Sequence, residues 1–428
     1  MTGTRTIATV LLATGLAVCG AGVLQTFLPL RADIEGFTDW EIALLGAAYF
    51  GGFILGCLAG PGLIRAVGHI RAFAGIVSLL AAVVLAQALL VGPPAWIGLR
   101  LVTGAGVAIV YMTLESWLND QASNRTRGRV LSAYIIVANL GWVAGQFVIN
   151  TAPVEGMALF LAVVIFVSLS AVPVALTPSK EPMPVPEIRL DLPGLFRLSP
   201  AGTIGCLLVG LVEGAFWSFG PVFGQERGLS VFEVTMLMAA FVMGGTLSQW
   251  PVGRLSDRGD RRRVIVGIAL ASVVTGLVIA AADGLSIGLT LLLALLHGAL
   301  MIPIYPICIA HVNDYTPKAR MVQVSSGLLL VYSVGATLGA PAAAPLMTAF
   351  GPGALFVFIA GVLGLLALLT GGRMLLAGRR LRAFPEVYRP WVRTTQSIYE
   401  MEGDETAEAE TAAEGREAAG RGGRPRPG

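Results

Sequence analysis

The chain has 428 residues, of which 55% are hydrophobic and only 13% charged, and its net charge is +3. Soluble globular proteins carry about 25% charged residues, so that class is excluded. The apolar residues run in blocks of about twenty or more, long enough to cross roughly 30 Å of hydrocarbon. The expected fold class is an all-α polytopic membrane protein.

Twelve spans are expected, at approximately 6–30, 40–64, 72–92, 94–119, 129–152, 155–176, 200–224, 231–254, 263–282, 286–312, 320–349 and 352–377. The first contains Gln25. Its "LAVCG" is similar to a lipoprotein cleavage box, but Val18 fills the small-residue position and the apolar run continues to Pro29. It therefore reads as a retained membrane helix. Cys19, Cys57, Cys206 and Cys308 each lie inside an apolar block and form no Cys-x-x-Cys pair. That argues against a disulfide framework or a zinc site, and no cofactor or metal is expected.

Span two opens with Thr38-x-x-Glu41, a capping box that closes the free amides of a helix start. In span four, "RLVTGAGVA" begins with Arg100, roughly 10 Å outside the midpoint at 1.5 Å per residue. Arg100 either snorkels to the outer surface or faces a cavity. Glu115 falls about 10 Å inside the same midpoint, near Arg125, Arg127 and Arg129, and is expected to form a gate pair with that loop. Gly141 and Gly145 in span five have helix-packing spacing. A Pro-rich polar linker, Thr177 to Pro200, then divides the spans six and six.

Span seven carries one carboxylate, Glu213, in an otherwise apolar stretch that also holds Trp217. Span eight opens with a second capping box, Ser230-x-x-Glu233. The loop "GRLSDRGDRRR" after it has no Gly-Lys-Ser/Thr and no preceding strand, so it is not a P-loop. Span ten contains His297 at the depth of Glu213, and Tyr305 beyond it. His297 either joins Glu213 as a proton-exchanging pair or is a satisfied helix-contact histidine. Residues beyond about 383 turn to Arg, Glu, Ala and Gly and bury too little to fold alone. The expected domains are 1–176, a linker 177–199, 200–380 and a tail 381–428.

The two halves repeat each other. Phe27/Phe219, Pro29/Pro221, Gly36/Gly228 and Glu41/Glu233 match at one constant offset. Gly104/Gly298, Tyr111/Tyr305, Asn119/Asn313, Asp120/Asp314, Gly141/Gly335 and Gly145/Gly339 match at another. Spans separated by six keep their direction, so the repeat is parallel, as in transporters whose halves rock about a central site. At the first offset Glu213 corresponds to Ala21, so the carboxylate belongs to one half only. Arginines and lysine crowd the loops at 65–71, 125–129, 254–263 and 318–320, whereas the opposite loops hold Arg31 and Arg227. The positive-inside rule then places both termini and the linker in the cytoplasm.

Gly253, Leu255, Asp257, Arg258, Arg261 and Arg262 resemble the cytoplasmic loop signature of the major facilitator superfamily, with the second glycine displaced to Gly259. The first-half loop keeps Leu63 and Gly68 but has Arg65 where the acid stands. Arg100, Gly104 and Gly106 are similar to the family's fourth-helix pattern, and Glu115 to Tyr134 with Val143 to Gln146 resembles a bacterial subgroup. The drug-antiporter ending of span five is missing, since Gln146 follows Gly145. The resemblance covers residues 6 to 380. It implies a cavity lined by spans one, four, seven and ten, and a cytoplasmic gate built on Asp257.

Together these point to a secondary active transporter that moves a small solute by alternating access, coupled to protons. Glu213 and His297 are the candidate coupling residues, and Gln25, Arg100, Trp217 and Tyr305 the candidate cavity wall. Glu115 with Arg127 and Arg129, and Asp257 with Arg258, are the candidate gate. A membrane sensor or scaffold on the same fold is the alternative. An enzyme is not expected, because no paired-carboxylate motif and no His-Glu-x-x-His is present. The expected partners are a solute, a proton and membrane lipid, without nucleic acid, and the chain is expected to act as a monomer.

Overall fold

The computed structural model describes residues 2–122, 126–176, 191–281, 284–317 and 320–377. Among them the chain forms helices only. In the first half these are α1 (Thr2–Ile34), α2 (Asp39–Val67), α3 (His69–Leu89), α4 (Pro93–Gln121), α5 (Arg127–Ile149) and α6 (Ala158–Ala175). The second half holds α7 (Leu192–Leu198), α8 (Pro200–Glu226), α9 (Val231–Asp257), α10 (Arg261–Ala281), α11 (Ile287–Met301), α12 (Ile304–Asn313), α13 (Met321–Phe350) and α14 (Ala354–Ala377). Twelve spans in this set are long and apolar enough to cross a membrane. Their outward faces carry exposed apolar side chains such as Leu140, Leu247 and Leu368, which hydrocarbon would cover.

Two departures from the expected spans have local causes. Span ten is broken at Ile302–Pro303 into α11 and α12. Proline donates no N–H and its ring clashes with the preceding turn, so the helix stops there. Within the expected linker, α7 forms where Asp191 caps the Gly194 amide (2.9 Å) and Pro193 occupies the first turn. The rest of the linker, 177–190, and the tail from 378 lie outside the described residues.

The two capping boxes form as expected and are copies of each other. Glu41 Oε2 accepts from the Thr38 amide at 2.8 Å, and Glu233 Oε2 accepts from the Ser230 amide at 2.8 Å. Each is preceded by a glycine at positive φ, Gly36 at 79° and Gly228 at 78°. That is a left-handed turn which a side chain would strain. Gly284 to Gly288 spells Gly-x-Ser-x-Gly, but Ser286 merely precedes α11 in a region without a strand. It is therefore not a nucleophile elbow.

Within each half the helices meet backbone to backbone. In the first half, a methyl on Gly104 would run into the Tyr49 carbonyl, locking α4 on α2; in the second, one on Gly298 would run into the Phe241 carbonyl, locking α11 on α9. The repeated glycines thus mark duplicated close contacts, as expected where lipid supplies no hydrophobic drive between helices. Between the halves, α1, α2 and α5 meet α8, α9 and α13.

Substituting Gly298 by alanine should lower the unfolding temperature in detergent, by the equivalent of about 1–3 kcal/mol of overpacking. Gly361→Ala is the control, because nothing lies within 4 Å of the added methyl. Equal effects from the two would refute the close-contact account.

Candidate functional site

Between the halves lies a cavity of about 140 Å³, walled by α1, α2, α4, α5, α8, α9, α13 and Ile302 at the α11 break. Glu213 is the one charged side chain among its described lining. It sits on α8, where every residue from Val212 to Gly224 is buried, so this carboxylate faces protein rather than lipid. The Tyr332 hydroxyl of α13 donates to Glu213 Oε2 at 2.7 Å. Trp217, one turn further along α8, packs edge-on to Trp142 of α5 at 5.1 Å between ring centroids. That contact bridges the halves across the cavity.

A smaller chamber of about 40 Å³ adjoins it, and Ala21, Gln25, Tyr49 and Tyr111 line both. Here Arg100 is buried. Its guanidinium donates to Gln25 Oε1 at 2.7 Å and lies over the Tyr49 ring, 4.5 Å from the centroid. Of the two readings of Arg100, the structure takes the inward one. Gln25 and Arg100, expected at one depth, meet directly.

Three hydrogen bonds join the halves at the end opposite the chain termini. Gln225 donates to Asp33 (2.6 Å), Asn150 to the Thr235 hydroxyl (2.9 Å) and Thr348 to Asp39 (2.6 Å). Gln225 and Asp33 each lie eight residues along their helices from the cavity residues Trp217 and Gln25, so the seal stands about 12 Å beyond the cavity.

Several expected partnerships take another form. His297 is buried away from Glu213: its Nδ1 meets the Thr275 hydroxyl at 2.9 Å, and its ring packs on Phe356 at 5.5 Å. It lies in the contact of α11 with α10 and α14, and it is absent from the cavity lining. Tyr305 likewise stands behind the wall, with its ring 4.6 Å from that of Tyr332. Glu115 accepts from the Tyr134 hydroxyl at 2.8 Å. Arg129 is exposed, and the expected pairing of Glu115 with Arg127 lies outside the described residues, as the Arg127 side chain does.

Asp257 pairs with Arg261 (2.8 Å), not with Arg258, which is exposed. The reason is helical spacing, since residues four apart share a face and neighbours do not. Arg261 also binds Asp314 at 3.0 Å, with both side chains 1% exposed. This cluster joins α9, α10 and the end of α12 inside one half. Beside it, a two-pronged hydrogen bond from Arg262 (2.7 Å) holds the Asp260 carboxyl below the usual carboxylate range.

The residues missed from the sequence are mostly tyrosines: Tyr49, Tyr111, Tyr134 and Tyr332, with Gln249. Their signal was depth. Glu213 and Tyr332 each stand about a dozen residues into their helices, α8 and α13.

Residues 202–393 match the family model described as Major Facilitator Superfamily. The chain is also 28% identical over 363 residues to the MFS-type transporter YcaD of Escherichia coli O17:K52:H18 (strain UMN026 / ExPEC), covering 84% of this chain and 94% of that one. The second half is thus similar to the major facilitator superfamily, and most of the chain's length to an MFS-type transporter. The chain has the fold of that family's solved transporters. The nucleoside transporter NupG superposes with a TM-score of 0.74 at 14% identity, over 88% of this chain and all of that one. A bacterial homologue of the lysosomal transporter Spinster, solved inward-facing, gives 0.66 at 16%, over 88% and 95%. The twelve spans long and apolar enough to cross a membrane agree with that likeness to multi-pass transporters.

Arg261→Ala should lower the stability of the protein by about 3–5 kcal/mol, because it breaks a fully buried ion pair with Asp314. Arg258→Ala should stay within about 0.5 kcal/mol. Thermal unfolding of the purified variants measures both, and a larger loss at Arg258 would overturn the assignment.

Proposed function

We propose that the protein is a secondary active transporter that moves a small solute by alternating access, driven by a proton carried on Glu213. The observation behind this reading is one carboxylate, fully buried, in the wall of the cavity and within reach of a tyrosine hydroxyl. A buried charge is costly. Protonation removes it and turns an acceptor-only group into one that also donates a hydrogen bond. Tyr332 can follow that change, because its hydroxyl donates to the carboxylate or accepts from the acid. The proton state of Glu213 would therefore bias which end of the cavity is open, as a ligand that favours one of two states does.

Positive-inside counting puts the termini in the cytoplasm of an inner membrane. On that orientation the three inter-half bonds seal the outer side, and the cavity belongs to an inward-facing arrangement. The Asp257–Arg261–Asp314 cluster then stiffens the cytoplasmic end of the second half, and Glu115 with Tyr134 buttresses α4 against α5 in the first. The working unit in this reading is a monomer. Coupling falls to Glu213 alone, with His297 holding α11 to α10.

The test uses the full chain reconstituted in vesicles, with candidate solutes supplied under an imposed pH gradient. Glu213→Gln should abolish accumulation against a solute gradient while equilibrating exchange persists; Tyr332→Phe should weaken coupling more mildly. A Glu213→Gln protein with unchanged proton dependence would sink the coupling role.

A further inference from the structure

Arg100 is a membrane-embedded guanidinium with no carboxylate partner among the described residues. It is 3% exposed, and its two contacts, the Gln25 carbonyl oxygen and the Tyr49 ring, are uncharged. A guanidinium has five N–H donors, and Gln25 takes one of them. The remaining lining of the chamber beside it is apart from Arg100 free of charged side chains and largely aliphatic, with Val77, Leu80, Val84 and Val107 among its residues.

The two buried charges of the cavity system differ in one respect. Glu213 can be neutralised by taking up a proton, whereas arginine keeps its charge in proteins. Charges within a membrane protein face a partner or a pathway. A positive charge that cannot be discharged, and that adjoins a chamber, calls for an anion from outside the chain. The planar fork of one guanidinium matches a planar carboxylate, and the chamber is small, at about 40 Å³.

We infer that Arg100 and Gln25 form the docking point for a carboxylate on the transported solute, whose apolar or aromatic body extends past Tyr49 and Tyr111 toward Trp142 and Trp217. This deepens the transport reading above and rests on it, since it names the solute class for the same cavity. The solute is an organic monocarboxylate. Gln25 positions the guanidinium, and Arg100 supplies the charge and the two-pronged hydrogen bonds.

The test is binding to the purified full chain by titration calorimetry, with three probes of nearly equal shape: phenylacetate, phenylacetamide and phenylethylammonium. The acid should bind about tenfold or more tightly than either of the others. Arg100→Gln should erase that preference, and Arg100→Lys, which keeps the charge without the fork, should retain part of it. Unfolding temperatures of the variants check that they fold, and the comparison of probes on the unmodified protein stands without them. Equal binding of acid and amide, tightest binding of the amine, or no binding of the acid each overturns the inference. Proton-driven flux of uncharged or cationic solutes, lost in Glu213→Gln, would leave the transport reading standing and remove this one. Carboxylate binding at Arg100 without any flux would keep the carboxylate docking point and remove the transport reading with its solute.

Discussion

The backbone contact between α8 and α13 is the constraint on which the cavity depends. A methyl on Gly210 would strike the Tyr332 carbonyl and one on Gly214 the Ala336 carbonyl; from the other side, Gly335 and Gly339 meet the carbonyls of Leu207 and Leu211. Glu213 and Tyr332 lie inside this zip. Without side chains to hold the helices apart, the two backbones come close enough for a phenol to reach a carboxylate at 2.7 Å. In hydrocarbon, helices associate through such packing and through interhelical hydrogen bonds, so the contact that stabilises the half also places its acid.

The first half has the zip without the pair. Gly141 approaches the Gly15 carbonyl and Gly145 that of Cys19, so α5 lies against α1 as α13 lies against α8. At the repeat offsets, however, Ala21 stands for Glu213 and Ala138 for Tyr332. Both members of the hydrogen bond are missing together, although three of the four glycines that would position them remain as Gly22, Gly141 and Gly145, with Val18 standing for Gly210. A carboxylate alone there would be buried without its donor, and a phenol alone would leave its hydroxyl unmet, each at a cost. The pair therefore behaves as a unit added to a duplicated scaffold. The first half instead carries its charge on Arg100, whose repeat counterpart is Ala294.

Much of this was legible in the residues because depth is a linear quantity. Counting along a helix at 1.5 Å per residue placed Glu213 at mid-depth and Gln25 level with Arg100, and the repeat identified the capping boxes and the packing glycines. Azimuth is not linear in that way. His297 shares the depth of Glu213, but its ring turns to Thr275 and Phe356, and nothing in span ten alone says which neighbour lies on which side. Tyr305 was misplaced for the same reason, by the thickness of one aromatic ring behind Tyr332. Asp257 shows that adjacency in sequence is a poor guide to pairing on a helix, because Arg261 shares its face and Arg258 does not. The break at Pro303 was written in the sequence but overshadowed by the continuous apolar run.

Contacts within and between the halves also differ in kind. Inside a half, helices interlock through glycines against carbonyls, and buried charges such as Arg261 and Asp314 are paired. Parting those surfaces would open voids and strand charge. At the end opposite the chain termini, the halves are joined by side-chain hydrogen bonds of Gln225, Asn150 and Thr348, groups that water satisfies equally well once exposed. Each such bond contributes a net of only about 0.5–1.5 kcal/mol. Two stiff bodies meeting along a seam of exchangeable bonds and side-chain contacts, such as Trp142 on Trp217 and Ser218 on Gly46, are what the proposed rocking requires. A shift of one proton or one bound anion at the centre, worth a few kcal/mol, is then of the same order as the three hydrogen bonds it must open.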